Sequence, residues 1–410
     1  MNSGTIAVKN PIPRSIRRCF LRASSDQRRA TLVPMLRLRE SVYFSKSEAN
    51  LLIADVLPED DLLLASEGVQ VIPSRKYEQL EMAALDQVYQ PLEHHEKSLN
   101  EVLTHIRARL AWKSGTGKGV HIAVVDTGIC GGMPEFPAWK KSPYGWSYHG
   151  SHWTDLRGHG SMAACVAAAT SSNGGRFDGV APGATLISCK TSFDDTELYQ
   201  VYDYLIGLVE KHEIGPLVIS NSYGSYQCSP PDLAADDPFT GIVRLAVAKG
   251  ITVVFAAGNN HVNVCGHSPL ACGPNSIWGV NSLEEVISVG TVDETNRMDQ
   301  PPKTANGFSH RDSSRGPGQF AKSRSKPDCV APTYGEVMWG CGYAAMEWWG
   351  TSGAAPQVAG LAALLLGRNP GLSPAEVKEI IRSTAVRLPV EETCVGSGLI
   401  NCEAALSQVV

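Results

Sequence analysis

The sequence predicts an α/β protein: a mostly parallel sheet with helices on both faces, preceded by a small α/β domain. Three observations carry this. β-branched runs alternate with longer amphipathic or small-residue segments through most of the 410 residues, the order that builds a parallel sheet covered on both sides. A separate strand–helix–strand pattern fills residues 51–73, ahead of a polar stretch. The composition, 43% hydrophobic and 19% charged, is that of a globular chain able to bury a large core. A net charge of −5 argues for neither nucleic acid nor an anionic membrane as partner. No apolar run reaches the length of a transmembrane segment.

From the N-terminus, residues 1–30 read as a basic, disordered tail containing Arg14, Arg17, Arg18, Arg22, Arg28 and Arg29. No apolar stretch of the secretory kind follows these charges. Residues 31–85 read as the small α/β domain. A strand is expected over 31–38, and a second apolar run spans 51–57. Pro58-Glu59-Asp60-Asp61 then opens a short helix at 62–66 with acids in its first turn. Gly68 ends it, and 69–73 returns as a strand. Residues 86–105 read as a linker, and residues 106–410 as the main domain.

In the main domain, strands are expected over 120–126, with a glycine turn following, and over 185–190, 217–222, 251–257 and 286–292. Helices are expected over 197–211 and 241–249. A long apolar helix runs from Ser352 and stops by Asn369-Pro370. Ser373-Pro374-Ala375-Glu376 is a capping box with proline at its first position, so another helix starts there.

Three motifs carry chemistry. The run ending Val124-Val125-Asp126-Thr127-Gly128 puts an acid at the carboxyl end of a strand, where open α/β sheets gather ligands. Gly158-His159-Gly160-Ser161 sets a histidine at the head of an alanine-rich helix. Gly350-Thr351-Ser352-Gly353-Ala354 sets a serine at the start of a buried helix, where the helix dipole favours a developing anion. A serine hydroxyl needs an imidazole to take its proton. The imidazole needs a carboxylate to fix its tautomer. Asp126, His159 and Ser352 supply all three, in the chain order of subtilisin.

On these motifs the chain resembles the subtilases, the subtilisin-like serine peptidases. Gly353 departs from the usual methionine of the serine motif. Ala256-Ala257-Gly258-Asn259 matches the family's oxyanion segment, which implies Asn259 as one oxyanion donor beside the Ser352 N–H. Lys326-Pro327-Asp328-Cys329-Val330-Ala331-Pro332 and Gly398-Leu399-Ile400-Asn401 are further matches, and the likeness spans about residues 106–408.

The resemblance implies a subtilisin-like fold and a serine endopeptidase working through an acyl-enzyme. It implies a protein or peptide substrate, bound extended along Ser222, Tyr223 and Gly224, with Ala257 and Gly258 as the other wall of the P1 pocket. Tyr223 replaces the commoner leucine, which makes it either a narrower side pocket or a core aromatic. The strand–helix–strand ending at Pro73 resembles the end of a subtilase propeptide, so the chain's own N-terminal domain is an expected partner. No cofactor is required. Subtilases often hold structural calcium, but no acidic loop here has EF-hand-like spacing. The competing reading is a catalytically silent subtilase fold used as a sensor or peptide-binding module. It calls for a lost triad residue, and all three are present.

Eleven cysteines is an odd count. Cys130, Cys165 and Cys189 read as small buried hydrophobes. Cys265–Cys272 and Cys394–Cys402 are the candidate short-range bridges. Reduced thiols and a cytoplasmic location are the default expectation, with secretion by a route lacking a recognisable signal as the alternative. No Cys/His set has zinc-motif spacing, so no metal ligand is expected. Trp339, Trp348 and Trp349, just before the serine, either line a subsite or pack beneath a loop.

Overall fold

A computed structural model describes residues 16–24, 42–58, 60–79, 97–234, 236–292, 309–321 and 326–409. The chain divides into two compact units, residues 1–76 and 77–410.

The first unit holds β1 (Arg17–Arg22), β2 (Tyr43–Phe44), β3 (Leu51–Val56), α1 (Asp60–Ser66) and β4 (Gln70–Pro73). Its sheet runs β2-β3-β1-β4, with β1 antiparallel to both β3 and β4. Over residues 17–22 this corrects the reading of residues 1–30 as a disordered tail; residues 1–15 and 25–30 lie outside the described residues. Cys19, Phe20 and Leu21 are buried at the middle of the sheet. The flanking arginines are tied down, Arg17 to Asp61 at 2.6 Å and Arg22 to Glu48 at 2.9 Å. Three apolar residues between an arginine pair and a single arginine are enough for a central strand, although the charges around them suggest a solvated tail. The strand expected over 31–38 lies outside the described residues.

The second unit opens with β5 (Glu78–Gln79), α2 (Leu99–His105) and α3 (Ala108–Ala111). Helix α2 corrects the linker reading. Its Leu99, Val102 and Leu103 recur at helical spacing and are buried in the main core. There follow β6 (His121–Asp126), β7 (Trp146–Ser147), α4 (His159–Ala168), β8 (Thr185–Lys190), α5 (Asp195–Glu210), β9 (Leu217–Asn221) and β10 (Tyr223–Gly224). Next come α6 (Pro238–Ala248), β11 (Thr252–Ala256), β12 (Ile287–Val292) and β13 (Cys329–Pro332). The hairpin β14 (Gly335–Trp339) and β15 (Gly342–Met346) precedes α7 (Gly350–Arg368), α8 (Pro374–Ser383), α9 (Glu392–Val395) and α10 (Cys402–Ser407).

Seven strands form one sheet in the order β13-β12-β11-β9-β6-β8-β7, and every pairing in it is parallel. Each residue of β9, β11 and β12 is buried, so both faces are covered, as a parallel sheet requires. The chain passes from β6 to β8 on one side and returns to β9 on the other. The carboxyl end of β6 is therefore a topological switch point, the usual place for a site. The expected capping box heads α8: the Glu376 N–H donates to Ser373 Oγ at 3.3 Å, and the Ser373 N–H donates to Glu376 Oε2 at 2.8 Å.

The cysteines differ from expectation. Bridges join Cys130 to Cys341, Cys228 to Cys265 and Cys272 to Cys394, with Cα separations of 5.4, 5.0 and 4.8 Å. Neither Cys265–Cys272 nor Cys394–Cys402 forms, and Cys130 is not an inert buried hydrophobe. Sequence proximity suggests the short-range pairs, whereas these partners are far apart in sequence and meet only in the folded chain. Cys165, Cys189 and Cys402 are free and buried. Cys402 opens α10 and is buried in the main core.

Peptide mapping under non-reducing conditions should recover these three pairs. Reduction should lower the unfolding free energy by about 2–4 kcal/mol for each bridge lost. Full alkylation of native protein without reductant, or an unchanged melting curve after reduction, would contradict the pairing.

Candidate active site

Asp126 ends β6 and is 1% exposed. A carboxylate so placed must be hydrogen-bonded. The Thr127 N–H donates to its Oδ1 at 2.7 Å. His159 Nδ1 lies 2.8 Å from Oδ1 and 3.0 Å from Oδ2. A carboxylate only accepts, so Nδ1 carries the proton and Nε2 is left as the basic nitrogen. Nε2 is buried and has no hydrogen-bond partner among the described residues.

The glycines around His159 are required by close approach. A Cβ on Gly160 would stand 2.2 Å from the Gly128 carbonyl oxygen, so only glycine lets α4 begin against the turn that follows β6. Asp155 holds the helix start. Its carboxylate accepts from the Gly158 N–H at 2.8 Å, the Ser161 N–H at 2.9 Å and the Thr127 hydroxyl at 2.9 Å. A carboxylate at a helix N-terminus also complements the dipole.

Ser352 lies in the first turn of α7 and is 1% exposed. Helices α4 and α7 pack on each other. Ser222 Oγ donates to the Ser352 carbonyl oxygen at 3.0 Å, fixing the serine turn to the end of β9. Asn259 follows β11. Its Oδ1 accepts from the Thr351 N–H at 3.0 Å and from the Thr351 hydroxyl at 2.8 Å. Both Thr351 donors therefore hold the oxygen branch of the amide and turn the Nδ2 branch the other way. A Cβ on Gly350 would come within 2.8 Å of that Nδ2.

The Peptidase S8 model, the subtilase family, matches residues 117–398. The chain belongs to the subtilase family. It is 31% identical over 322 residues to serine protease AprX of Bacillus subtilis (strain 168), covering 70% of this chain and 66% of AprX. It is 29% identical over 316 residues to subtilisin E of the same organism, covering 74% of this chain and 70% of that protein. Among solved structures, fervidolysin from Fervidobacterium pennivorans, a keratinolytic enzyme related to subtilisin, superposes with a TM-score of 0.67 at 19% identity. That match covers 96% of this chain and 61% of fervidolysin. MycP1 with its N-terminal propeptide removed gives 0.56 at 24% identity, over 74% of this chain and 96% of that one. These two share the fold. The chain spans about two thirds of the length of AprX and of fervidolysin.

In this subtilase the expected P1 walls are neighbours. Asn281 spans them: its Nδ2 donates to the Tyr223 carbonyl at 2.7 Å and to the Ala256 carbonyl at 2.8 Å. Gly258 N–H donates to Thr351 Oγ1 at 3.2 Å, and Ala257 is buried. The Tyr223 side chain is a core aromatic, which removes the narrowed-pocket reading. It is fully buried, its hydroxyl donates to Asn221 Oδ1 at 2.9 Å, and its ring packs against Phe193, Phe255 and Tyr77. Its backbone meets the chain's own β5, which pairs antiparallel with β10 in the register Gln79–Tyr223 and Glu78–Gly224. Among the three tryptophans, Trp339 lies edge-on to the His159 ring with centroids 6.1 Å apart, and Trp348 stacks on His310 at 3.8 Å. Trp349 is buried and donates to the Gly335 carbonyl at 2.8 Å.

Four supporting residues escaped the sequence reading: Thr127, Asp155, Asn281 and Thr351. Thr351 and Thr127 each adjoin a motif residue, so position alone could have flagged them. Asn281 has no such signal.

Thr351→Val keeps shape and removes one of the two donors on Asn259. It should lower kcat about tenfold with little change in KM, the scale of one lost hydrogen bond. Asn259→Ala should cost on the order of 10²–10³ in kcat. Steady-state kinetics on a peptide substrate check both; effects confined to KM would make Asn259 a ground-state contact.

Proposed function

We propose that this subtilase is an endopeptidase that cleaves extended polypeptide through the Asp126–His159–Ser352 triad. His159 Nε2 takes the Ser352 hydroxyl proton as Oγ attacks the scissile carbonyl. The resulting oxyanion is met by Asn259 Nδ2 and the Ser352 N–H at the head of α7. His159 then passes its proton to the leaving amine, and water hydrolyses the acyl-enzyme by the same steps in reverse order. Asp126 orients the ring and stabilises the imidazolium. No step calls on a cofactor. The observation that carries the reading is the buried Asp126–His159 hydrogen bond, which leaves Nε2 as the site's base. A silent scaffold would have no need of that pair in a site whose other elements are intact.

The N-terminal region acts as a propeptide in this reading. Support comes from β5, which lies on β10 as the proposed substrate would, with the Tyr77 N–H donating to the Phe193 carbonyl at 2.8 Å. Backbone pairing of this kind accepts many sequences, including the chain's own. The three bridges favour an oxidising compartment over the cytoplasmic expectation, so secretion is the location proposed.

Ser352→Ala should abolish hydrolysis with the fold intact, and His159→Ala should be about as damaging, because the two act as a unit. Wild-type protein should show cleavage between about residues 75 and 110 by intact mass, while Ser352→Ala stays full length. Undiminished turnover in Ser352→Ala would end the triad reading. An active wild type that keeps every residue would end the propeptide reading alone.

A further inference from the structure

Away from the triad, the fold gathers two cysteines and a histidine with no zinc-like spacing in the sequence. Cys228 lies on the segment that runs on from β10. Cys265 and His267 lie on the loop after Asn259. One donor atom from each of the three lies within 4.8 Å of the other two. Cys228 and Cys265 form one of the bridges. His267 Nδ1 is buried and has no hydrogen-bond partner among the described residues.

The surroundings separate His267 from its neighbour His261. The His261 ring has both nitrogens engaged, Nδ1 at 3.2 Å from Ser276 Oγ and Nε2 at 3.1 Å from the Ser268 carbonyl. It packs edge-on to His267 at 5.1 Å and serves as a wall. The loop backbone is pinned beside both donors. Cys265 N–H donates to the Asn260 carbonyl at 2.8 Å, and His267 N–H donates to the His261 carbonyl at 3.0 Å. The imidazole is thus held beside two sulfurs, with a nitrogen that no group among the described residues uses.

We propose that Cys228, Cys265 and His267 form a binding site for a borderline-soft divalent metal of the Zn²⁺ class, open when the Cys228–Cys265 bridge is reduced. Reduction by a dithiol gives the bridge two electrons and two protons, and the dithiol leaves as its own disulfide. Metal binding then releases both thiol protons, so two thiolates and a neutral imidazole meet one divalent cation. Zn–S bonds of about 2.3 Å at a tetrahedral centre place the sulfurs about 3.8 Å apart. Rotation of the exposed Cys228 side chain provides that separation. Its exposure also leaves the fourth position to water. Two thiolates disfavour calcium and magnesium, which take oxygen ligands. Bridge and metal tie the same two segments, those that continue the proposed P1 walls, so the metal replaces the tie that reduction removes.

The test uses full-length Ser352→Ala protein, which cannot cut itself, reduced with a phosphine under anaerobic conditions. Titration with Co²⁺, a spectroscopic stand-in for Zn²⁺, should give thiolate charge-transfer and tetrahedral bands saturating at one equivalent. Zn²⁺ should abolish these bands. Cys228→Ser and Cys265→Ser should each remove the charge-transfer band, and His267→Ala should weaken binding at least tenfold. His267→Ala keeps both cysteines, so recovery of the Cys228–Cys265 bridge on reoxidation certifies its fold. The absence of a one-equivalent thiolate band would overturn the site. So would a band that survives Cys228→Ser, which would arise from the other released thiols, or affinity unchanged in His267→Ala.

Discussion

A buried carboxylate at the end of β6 sets the terms for the rest of the catalytic unit. Asp126 has almost no contact with water, so its charge must be met by donors in fixed places. One is the next backbone N–H; the other is His159 Nδ1. The second bond dictates where α4 begins and how closely it approaches the β6 turn. Gly160 permits that approach, and Asp155 holds the helix start in place. Removing either partner of a buried pair leaves the other uncompensated, which is why so much local structure converges here.

The serine side is organised by a different constraint. An oxyanion needs donors in place before it forms. In the proposed oxyanion hole Thr351 meets this need by gripping the oxygen of Asn259, while Ser222 fixes the serine turn to the end of β9. Further ties run around this rim. The Cys130–Cys341 bridge joins the segment after Asp126 to the tip of the β14–β15 hairpin. At that tip, the Gly340 N–H donates to the Gly158 carbonyl at 3.2 Å. Asn281 and the Cys228–Cys265 bridge tie the two walls that flank the proposed substrate path. The geometry of the proposed site thus rests on hydrogen bonds and crosslinks around its rim, and the sheet beneath supplies the frame.

What the sequence made legible follows the range of the interactions involved. Strand periodicity and helix caps are local, so β8 and the start of α8 are legible in short windows. The candidate triad and Asn259 stand out in the sequence because each sits in a motif whose glycines and neighbours fit the same proposed chemistry. The misses are non-local. Residues 17–22 are charged at their margins, and only pairing with β3 and β4 makes them a strand. Helix α2 is the exception, a local helical spacing of three apolar residues in a stretch whose polar composition reads as a linker. The cysteine partners are 211, 37 and 122 residues apart, and sequence proximity ranks such pairs last. Asn281 bridges two carbonyls that meet only in the folded sheet. Tyr223 could be a pocket or a core residue until the rings around it were known.

The most direct measurement is covalent labelling of the protein with a fluorophosphonate, the adduct located by peptide mass spectrometry and its rate compared across triad variants. An activated Ser352 gives one adduct, on Ser352, at a rate that collapses in His159→Ala and falls by roughly 10⁴ in Asp126→Asn, where the imidazole is held in the wrong tautomer. Labelling of Ser352 in His159→Ala at the wild-type rate, or wild-type protein that takes up no label there, would contradict a triad built on the Asp126–His159 pair.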